Sequence, residues 1–451
     1  MPKIGDDAPY DPSDRESLLK YSLKLEGKTL GEVCDVEMLE LSSKNKGNFG
    51  NILEKGYFKI DNNNESKPDF EELGIELKTT PMVQRTKKGY GSKERLMLCM
   101  INYNDLIEKG FEGTILNKNK ELLIVFYLHN ENIEDGKILK VILWTFSEAD
   151  LRMLEDDWNV IANMVREGKA HEISGGQTYY LEAATKGEGG GKGMRTQPFS
   201  EIKAKPRAFA LKQRYVRRMW ESSGKDESFI KRIEQWGQQK TFEEIVLERF
   251  EPYLGRCDKD IMESLSIPYN ANEKGRYARM ARKIMGVEGK KIEEFEKADI
   301  KMKTIRLKPN GVPKEDMSFP YFKFENIVSG SWDESELKES LDKKFLLIIL
   351  QIDKVGDVLL KAAKFWNMSY ADLEKVGHEW EETAKRIEAG ELENLPKKSE
   401  MEIIHVRPHA RNKSDTYVGI DGKSYPKKGF WINAPYLKNI IDELCEKDRP
   451  K

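Results

Sequence analysis

The segment Ser66-Lys67-Pro68-Asp69-Phe70-Glu71-Glu72-Leu73-Gly74-Ile75-Glu76-Leu77-Lys78-Thr79 carries the pattern on which both the fold and the chemistry of this chain depend. Its last residues alternate between apolar and polar, which predicts a β-strand. Glu76 and Lys78 are two positions apart, so their side chains project from the same face of that strand. Asp69 stands one short turn before the strand, which brings a second carboxylate towards Glu76.

Two carboxylates beside a lysine suit the hydrolysis of a phosphodiester bond. Asp69 and Glu76 can share one hard divalent cation, for which we expect Mg²⁺. The ammonium group of Lys78 can hold the reacting phosphate or orient the attacking water. Two further candidates are Glu54, at the end of a preceding helix, and Lys118, just upstream of the next strand.

A solvated strand edge is the alternative explanation of this pattern. Charged residues make up 34% of the chain, so a Glu-x-Lys triplet arises easily by chance. Three features favour a site: the proline before Asp69, the apolar start of the strand at Leu73-Gly74-Ile75, and the helix that ends at Glu54.

Other segments predict an α/β or α+β domain built around a mixed sheet with helices on its faces. Lys46–Lys55 has the apolar spacing of a helix. Leu122–Leu128 is a continuous apolar run rich in β-branched and aromatic residues, as in a buried strand. Leu151–Arg166 places its apolar residues on one helical face.

The chain repeats itself at an offset of roughly 220 to 230 residues, which indicates a duplicated domain. The matching pairs are Lys46–Lys55 with Lys274–Lys283, Asp69–Thr79 with Glu294–Thr304, Leu122–Phe126 with Phe345–Ile349, Ala149, Trp158 and Gly168 with Ala371, Trp380 and Gly390, and Phe209 and Tyr215 with Phe430 and Tyr436. We therefore expect domains at residues 1–222 and 241–451, joined by a polar linker at 223–240. Unrelated halves with the same rhythm of helices and strands are the alternative.

The bulk composition restricts the class of protein. At 451 residues the chain is long enough for more than one domain. It has neither a long apolar run nor an apolar N-terminus, so we expect no membrane association and a cytoplasmic location. Four scattered cysteines and five histidines argue against a zinc site or a disulfide framework.

A basic region between Lys186 and Arg218 predicts contact with DNA, although the net charge of the chain is −2. A glycine-rich loop, Gly187–Gly193, is flanked by the candidate base-contacting residues Lys186, Lys192 and Arg195. The candidate phosphate contacts are Lys203, Lys205, Arg207, Lys212 and Arg214. A surface loop followed by a basic helix is the alternative. The loop lacks the ending of a nucleotide-binding loop, so we expect no nucleotide cofactor.

The catalytic segment resembles the MutH family, which comprises a mismatch-repair nicking endonuclease and the two-domain, Sau-type restriction enzymes that cut at GATC. The resemblance is carried by Gly47–Lys55, Ser66–Pro81, Ser92–Leu96, Gly168–Ile173, Thr185–Gly187 and Lys203–Lys212, and it extends to His405–His409 and Phe430–Asn433. It implies two tandem restriction-endonuclease-like domains, Mg²⁺ catalysis and duplex DNA containing GATC as substrate. It assigns metal binding to Asp69 and Glu76 with Glu54 as an accessory acid, and catalytic lysines to Lys78 and Lys118.

The chain departs from the mismatch-repair enzyme at two positions. An Arg-Pro-Lys that reads DNA in that enzyme becomes Ala184-Thr185-Lys186 in the first half. A tyrosine that senses adenine methylation there falls on Ala210. Double-strand restriction cleavage therefore fits better than repair nicking, and a non-cleaving GATC-binding regulator is the third hypothesis.

The second half has lost the acids of the first. Glu54 aligns with Arg282, Asp69 with Glu294 and Glu76 with Lys301, whereas Lys78 is kept as Lys303. Cations in place of two metal-binding acids repel a metal ion, so this half is expected to be inactive. It keeps basic and aromatic residues, among them Arg407, Arg411, Lys427, Lys428 and Trp431. We therefore expect it to bind a second GATC as an effector or to promote self-association on DNA. A purely structural remnant is the alternative.

Overall fold

The computed structural model describes residues 4, 8–34, 48–60, 67–86, 89–186, 193–222, 241–273, 275–286, 295 and 300–446. These residues separate into two compact units, one before and one after the segment 223–240. The segment expected to link two domains therefore lies outside the described residues. Within the described ranges, no helix is both long and apolar enough to span a membrane.

The first unit mixes helices and short strands. In chain order its elements are α1 (Arg15–Ser22), α2 (Leu30–Val33), α3 (Asn48–Ile52), β1 (Ile75–Thr86), β2 (Gly89–Ser92), β3 (Leu96–Met100), α4 (Tyr103–Phe111), α5 (Asn117–Asn119), β4 (Glu121–Leu128), β5 (Ile138–Thr145), α6 (Glu148–Arg166), β6 (Leu181–Thr185), β7 (Arg195–Gln197), β8 (Ser200–Ala204), β9 (Arg207–Leu211) and α7 (Gln213–Ser222). A π-helical turn follows α3 at Leu53–Tyr57, and another follows α4 at Glu112–Leu116.

The main sheet of this unit is mixed, as expected, with the strand order β2-β1-β4-β5. The predicted strands at Ile75–Thr79 and Leu122–Leu128 are confirmed as parts of β1 and β4, which run parallel to each other. The side chains of Leu122–Phe126 are fully buried, which explains the continuous apolar run. An antiparallel sheet, β3-β9-β6, and a hairpin, β7-β8, were not predicted.

The predicted helix at Leu151–Arg166 is confirmed as α6, which begins slightly earlier, at Glu148. Ser147 caps it, because the hydroxyl oxygen accepts a hydrogen bond from the backbone N–H of Asp150 at 3.1 Å. Trp158 is buried on its inner face, and its indole N–H donates to Thr114 Oγ1 at 2.8 Å.

The second unit has its own set of elements. They are α8 (Phe242–Glu248), α9 (Asp258–Ser264), α10 (Arg276–Ile284), β10 (Lys301–Leu307), β11 (Met317–Phe322), α11 (Phe324–Ser329), α12 (Glu336–Leu341), β12 (Phe345–Ile352), β13 (Val358–Trp366), α13 (Tyr370–Glu388), β14 (Ile404–Pro408), β15 (Thr416–Val418), β16 (Ser424–Pro426), β17 (Lys428–Ile432) and α14 (Ala434–Glu446).

The topology of the second unit repeats that of the first. Its mixed sheet has the order β10-β12-β13, with β10 parallel to β12. Its antiparallel sheet, β11-β17-β14, corresponds strand by strand to β3-β9-β6, and the hairpin β15-β16 corresponds to β7-β8. The long helices α6 and α13 both contain 19 residues. This agreement supports the duplication that the sequence comparison indicates.

Each long helix also carries a carboxylate that accepts three backbone hydrogen bonds, buried in the first unit and half-buried in the second. On α6, Asp157 accepts hydrogen bonds from the backbone N–H groups at 179, 180 and 181, at 2.6, 2.6 and 2.8 Å. On α13, Glu379 accepts them from the N–H groups at 402, 403 and 404, at 2.6, 3.1 and 2.8 Å. Each acid therefore fixes the chain that leads into an edge strand of the three-stranded antiparallel sheet, β6 or β14. The same arrangement, one helix carboxylate that accepts three consecutive backbone N–H groups, therefore occurs in both units.

Candidate active site

Glu76 is the centre of the charged cluster predicted from the sequence. Its side chain is buried, with 2% of the residue surface exposed, although it lies on the polar face of β1. Oε1 accepts a hydrogen bond from Lys78 Nζ at 2.7 Å. The same oxygen lies 3.4 Å from Lys118 Nζ. The structure therefore brings together the acid and both lysines of the predicted site.

Asp69 is held against the start of β1 by two hydrogen bonds. Its backbone N–H donates to Glu76 Oε2 at 3.1 Å, and its Oδ2 accepts from the backbone N–H of Leu77 at 2.9 Å. The intervening chain turns back through Gly74, whose φ of 68° lies in the left-handed region. The turn places the two carboxylates side by side, as the spacing predicts.

Lys78 lies between the two sheets of the first unit. Its Nζ is 3.4 Å from the backbone oxygen of Leu98 on β3, in addition to its contact with Glu76. Sequence reasoning missed this contact, because the acceptor is a main-chain group and no side chain signals it. β3 thus orients the lysine.

Lys118 reaches the site from an irregular connection. Gly110, with φ 66° and ψ −175°, interrupts α4, and the π-helical turn at 112–116 follows. The buried Asn119 donates from Nδ2 to the backbone oxygen of Ile115 at 3.0 Å, which closes the last turn before β4. These features set the position of Lys118, and its placement agrees with the sequence prediction.

Glu54 lies in the π-helical turn after α3, close to β1. A Cβ atom at Gly50 would lie 3.2 Å from Thr79 Oγ1 and 3.8 Å from Glu54 Oε1, so helix and strand approach closely here. Burial raises the pKa of Glu54, and the charge of Glu76 raises it further, while Lys78 and Lys118 oppose the shift. Glu54 therefore belongs to the same electrostatic cluster.

At Asp69, the repulsion from the neighbouring carboxylates is only partly offset by the attraction of Lys78. Burial is the main cause that raises the pKa of Asp69 to about 7, and the charges of Glu76 and Glu54 add to it. Lys78 and the hydrogen bond from Leu77 lower that pKa only in part. A cation bound beside Asp69 would relieve this repulsion.

The donor set fits a hard divalent ion that keeps part of its water shell. Among the described residues, no group of three or more His, Cys, Asp or Glu side chains is arranged as a complete metal site. Mg²⁺ is typically held by one or two carboxylates and several waters, so the adjacent carboxylates of Asp69 and Glu76 are sufficient. Glu54 is available as an accessory acid.

The predicted DNA contacts of the first unit divide into accessible and buried residues. Arg195 and Lys203 are exposed on the hairpin β7-β8, and Lys186, Lys205 and Arg214 are half-buried. Lys192 lies outside the described residues. The exposed hairpin remains a candidate DNA-binding surface.

Arg207 and Lys212 differ from the sequence expectation, because the structure places both inside the unit. Arg207 is 5% exposed and donates to the backbone oxygens of Ala183, at 2.7 Å, and Ile173, at 2.5 Å. Lys212 is 8% exposed and donates to the backbone oxygens of Gly175, at 2.7 Å, and Thr178. These cations satisfy buried carbonyls and are not available as phosphate contacts, which corrects the expectation from the sequence.

Among the predicted basic and aromatic residues of the second unit, Arg407 and Trp431 contact each other. Lys428 projects from the opposite face of β17 and donates to the backbone oxygen of Leu392 at 2.6 Å. The guanidinium of Arg407 lies 4.5 Å from the centre of the Trp431 ring and is half exposed. Its NH1 is 3.4 Å from Asp316 Oδ2, which fixes its direction. Arg411 is exposed nearby in the sequence, in the loop after β14. Arg407 and Arg411 thus remain accessible to a ligand.

Comparison with known proteins agrees with these features. The family model described as the DNA mismatch repair enzyme MutH matches residues 58–157 and, a second time, residues 285–378. The chain is 34% identical over 462 residues to the type II restriction enzyme Sau3AI of Staphylococcus aureus, with 93% of each protein covered. It is 24% identical over 219 residues to the DNA mismatch repair protein MutH of Shigella flexneri, which covers 46% of this chain and 91% of that protein. The Escherichia coli MutH is equally similar.

The first family match contains Asp69, Glu76, Lys78 and Lys118, and the second contains Lys301 and Lys303. The near full-length similarity to a restriction enzyme thus coincides with a repeated fold and one intact acidic cluster. The chain belongs to the family of MutH-like restriction endonucleases, which are site-specific deoxyribonucleases that act with a divalent metal ion.

Proposed function

We propose that the chain is a type II restriction endonuclease that makes Mg²⁺-dependent double-strand cuts at GATC in duplex DNA. One observation carries the proposal: Glu76 stands beside Asp69 and contacts both Lys78 and Lys118. Two carboxylates and two ammonium groups at one point supply the parts that phosphodiester hydrolysis requires. The GATC site itself rests on the resemblance of the sequence segments to the Sau-type enzymes.

In this proposal each residue has a separate role. Asp69 and Glu76 hold the cation, with Glu54 as an accessory acid. Mg²⁺ bound there would supply a more acidic water and neutralise charge on the phosphate. Lys78, oriented by Leu98 O, and Lys118, oriented by the turn that Asn119 closes, donate to the phosphate oxygens or to the attacking water.

The decisive experiment incubates the purified chain with a plasmid that contains GATC. Linear fragments in Mg²⁺ and none in EDTA would support double-strand cleavage. Nicked circles would favour the alternative, a strand-nicking repair enzyme. A mobility shift without cutting would favour a non-cleaving regulator. A matched plasmid without GATC provides the specificity control, and cutting of that plasmid at the same rate would contradict the proposed site.

We further propose that residues 241–451 form a duplicated domain that binds a second GATC as an allosteric effector and supports self-association on DNA. The proposal is supported by the repeated topology, by Lys301 in place of Glu76, and by the accessible Arg407 beside Trp431. Plasmids with one and with two GATC sites test it. Faster cutting of the two-site plasmid, and activation of the one-site plasmid by an uncleavable GATC duplex, are expected. Equal rates without activation would contradict it.

A further inference from the structure

The position of the first unit's active site is occupied by lysines in the second unit, and the strand register shows that the two positions correspond. In the parallel pair β1-β4, Glu76 lies opposite Leu122 and Lys78 opposite Ile124. In the parallel pair β10-β12, Lys301 lies opposite Phe345 and Lys303 opposite Leu347. Leu122 and Phe345 are the aligned first residues of the two apolar runs. With the two apolar runs aligned, the strand register therefore places Lys301 at the position of Glu76.

Lys303 is oriented in the same way as its counterpart Lys78. Its Nζ donates to the backbone oxygen of Ser318 on β11 at 3.1 Å, as Lys78 Nζ does to Leu98 O on the equivalent strand β3. The ammonium also lies 5.2 Å from the centre of the Phe319 ring. The second unit has thus kept the direction of the lysine that faces the reacting phosphate in the first.

Lys301 and Lys303 lie two positions apart on β10, so their side chains project from the same face of the strand, and both residues are half-buried. Burial lowers the pKa of Lys303, and the charge of Lys301 lowers it further. The helix α10, which packs against β10, carries Arg282 at the position that corresponds to Glu54. Glu294, the counterpart of Asp69, lies outside the described residues. Half-buried cations that repel each other are stabilised when an anion binds between them.

We propose that Lys301 and Lys303 form a site that binds one backbone phosphate of duplex DNA directly, without a metal ion. In the first unit a divalent cation held by acids would meet the phosphate. In the second, an ammonium group attached to the same strand position takes over that positive charge. The inference rests on the proposed function in one respect, which is that the ligand is DNA. The proposed site predicts that the second unit still binds DNA when a chelator has removed divalent metal ions.

The experiment titrates a fluorescently labelled GATC duplex with the full chain in EDTA, at several salt concentrations and under stoichiometric conditions. Binding of one duplex per chain through the second unit is expected for the wild type in EDTA, and weaker binding is expected in Lys301→Ala and in Lys303→Ala. The affinity of this site should fall about 10-fold, and the slope of log affinity against log salt should decrease by about one for each lysine removed. Unchanged affinity and slope in both variants would overturn the inference.

Three controls separate a lost contact from a damaged fold. Lys308→Ala removes an exposed lysine just beyond the end of β10 and should leave binding unchanged. Lys303→Arg keeps the charge and should retain most of the affinity, whereas a fold defect would affect both Lys303 variants. In Lys301→Glu, which restores the acid of the first unit, binding should be lost in EDTA and recovered in part with Ca²⁺. Failure of Ca²⁺ to restore any binding would count against the correspondence of the two sites.

The source of the bound anion is distinguished by competition. Inorganic phosphate at millimolar concentration should displace little of the duplex, because a single phosphate contact is only part of the DNA interface. Complete displacement at that concentration would show a small-anion site and would overturn the assignment to DNA. Plasmid cleavage is measured separately, so a chain that binds through Lys303 in EDTA but cuts no GATC plasmid would contradict the proposed function alone.

Discussion

Lys118 Nζ lies 3.4 Å from the Glu76 oxygen that also accepts the hydrogen bond from Lys78. One carboxylate oxygen therefore positions two ammonium groups. One belongs to Lys78 on β1, and the other belongs to Lys118 in the turn before β4. In the proposed metal-bound state, the lysines would share that oxygen with the metal ion or turn towards the phosphate. The contact is thus suited to hold both lysines ready before DNA and metal arrive.

Removal of Lys118 should slow cleavage without unfolding the chain. Lys118→Ala removes a cation beside the phosphate, so kcat should fall by about 10²-fold. Lys118→Arg should recover part of the loss. Lys120→Ala provides the matched control, because Lys120 is exposed two positions away. Initial rates on a GATC plasmid measure the effect, and equal loss in the two alanine variants would remove Lys118 from the active site.

Glu76→Gln should abolish most of the activity and weaken metal binding. The substitution preserves size but removes a charge that is needed to hold the cation, and a loss of at least ~100-fold in rate is expected. Glu72→Gln is the control, since Glu72 is exposed on the same connection. Cleavage is measured over a range of Mg²⁺ concentrations. Full activity of Glu76→Gln at the wild-type Mg²⁺ requirement is the result that excludes the assignment.

Metal binding should depend on pH through Asp69, whose pKa in the metal-free chain is raised to about 7. Below that pH the carboxyl is protonated, so a cation has to displace a proton and binds more weakly. Metal binding near neutral pH should therefore release protons, and this release should decline above pH 8. Calorimetry in two buffers of different ionisation enthalpy measures it. Asp69→Asn should lack the effect, and identical proton release in that variant would assign it to another group.

The same group has a defined effect on folding. Between 3.8, the ordinary pKa of the group, and about 7, the folded metal-free chain keeps a proton on Asp69 that the unfolded chain has released. Asp69 therefore contributes less to stability as pH rises through this window. Divalent metal should raise the unfolding temperature more at pH 8 than at pH 6. The reverse order in wild type but not in Asp69→Asn would contradict the shifted pKa.

The paired acids Asp157 and Glu379 predict unequal losses of stability. Asp157→Ala leaves three backbone N–H groups without their acceptor in a buried position, so a loss of about 3 kcal/mol is expected. Glu379→Ala removes the equivalent acceptor, but Glu379 is half-buried, so water can replace its hydrogen bonds in part. The loss of stability should therefore be smaller than in Asp157→Ala. Thermal and urea unfolding measure both, with Glu155→Ala as the exposed control on α6. Equal losses in Asp157→Ala and Glu155→Ala would contradict the role of the buried acid.

The corrected roles of the basic residues can also be separated. Arg207→Ala should lower stability, because it leaves the carbonyls of Ala183 and Ile173 without a donor. A double alanine substitution at the exposed Arg195 and Lys203 should instead weaken DNA binding and reduce its salt slope, with little change in stability. Unfolding curves measure the loss of stability in Arg207→Ala, and a duplex titration measures the loss of DNA affinity in the double variant. Normal DNA affinity in the double variant would remove the β7-β8 hairpin from the interface.

The sequence by itself determined the parts of this protein that depend on local pattern. Strand alternation placed Glu76 and Lys78 on one face, and the internal repeat identified both the duplicated unit and the lost acids at Arg282 and Lys301. The continuous apolar run identified β4, because full burial on both faces requires apolar residues at consecutive positions. These predictions succeed because spacing along a strand fixes side-chain direction.

Only the tertiary structure decided which charges are accessible and which main-chain groups serve the site. Arg207 and Lys212 look like any surface cation in the sequence, but the fold buries them against carbonyls that are about 30 residues away in the chain. Leu98 O faces Lys78 because β3 pairs with β9, a contact between distant segments that no local pattern encodes. Composition predicts that a cation is present, whereas its partners are set by which strands come to lie side by side.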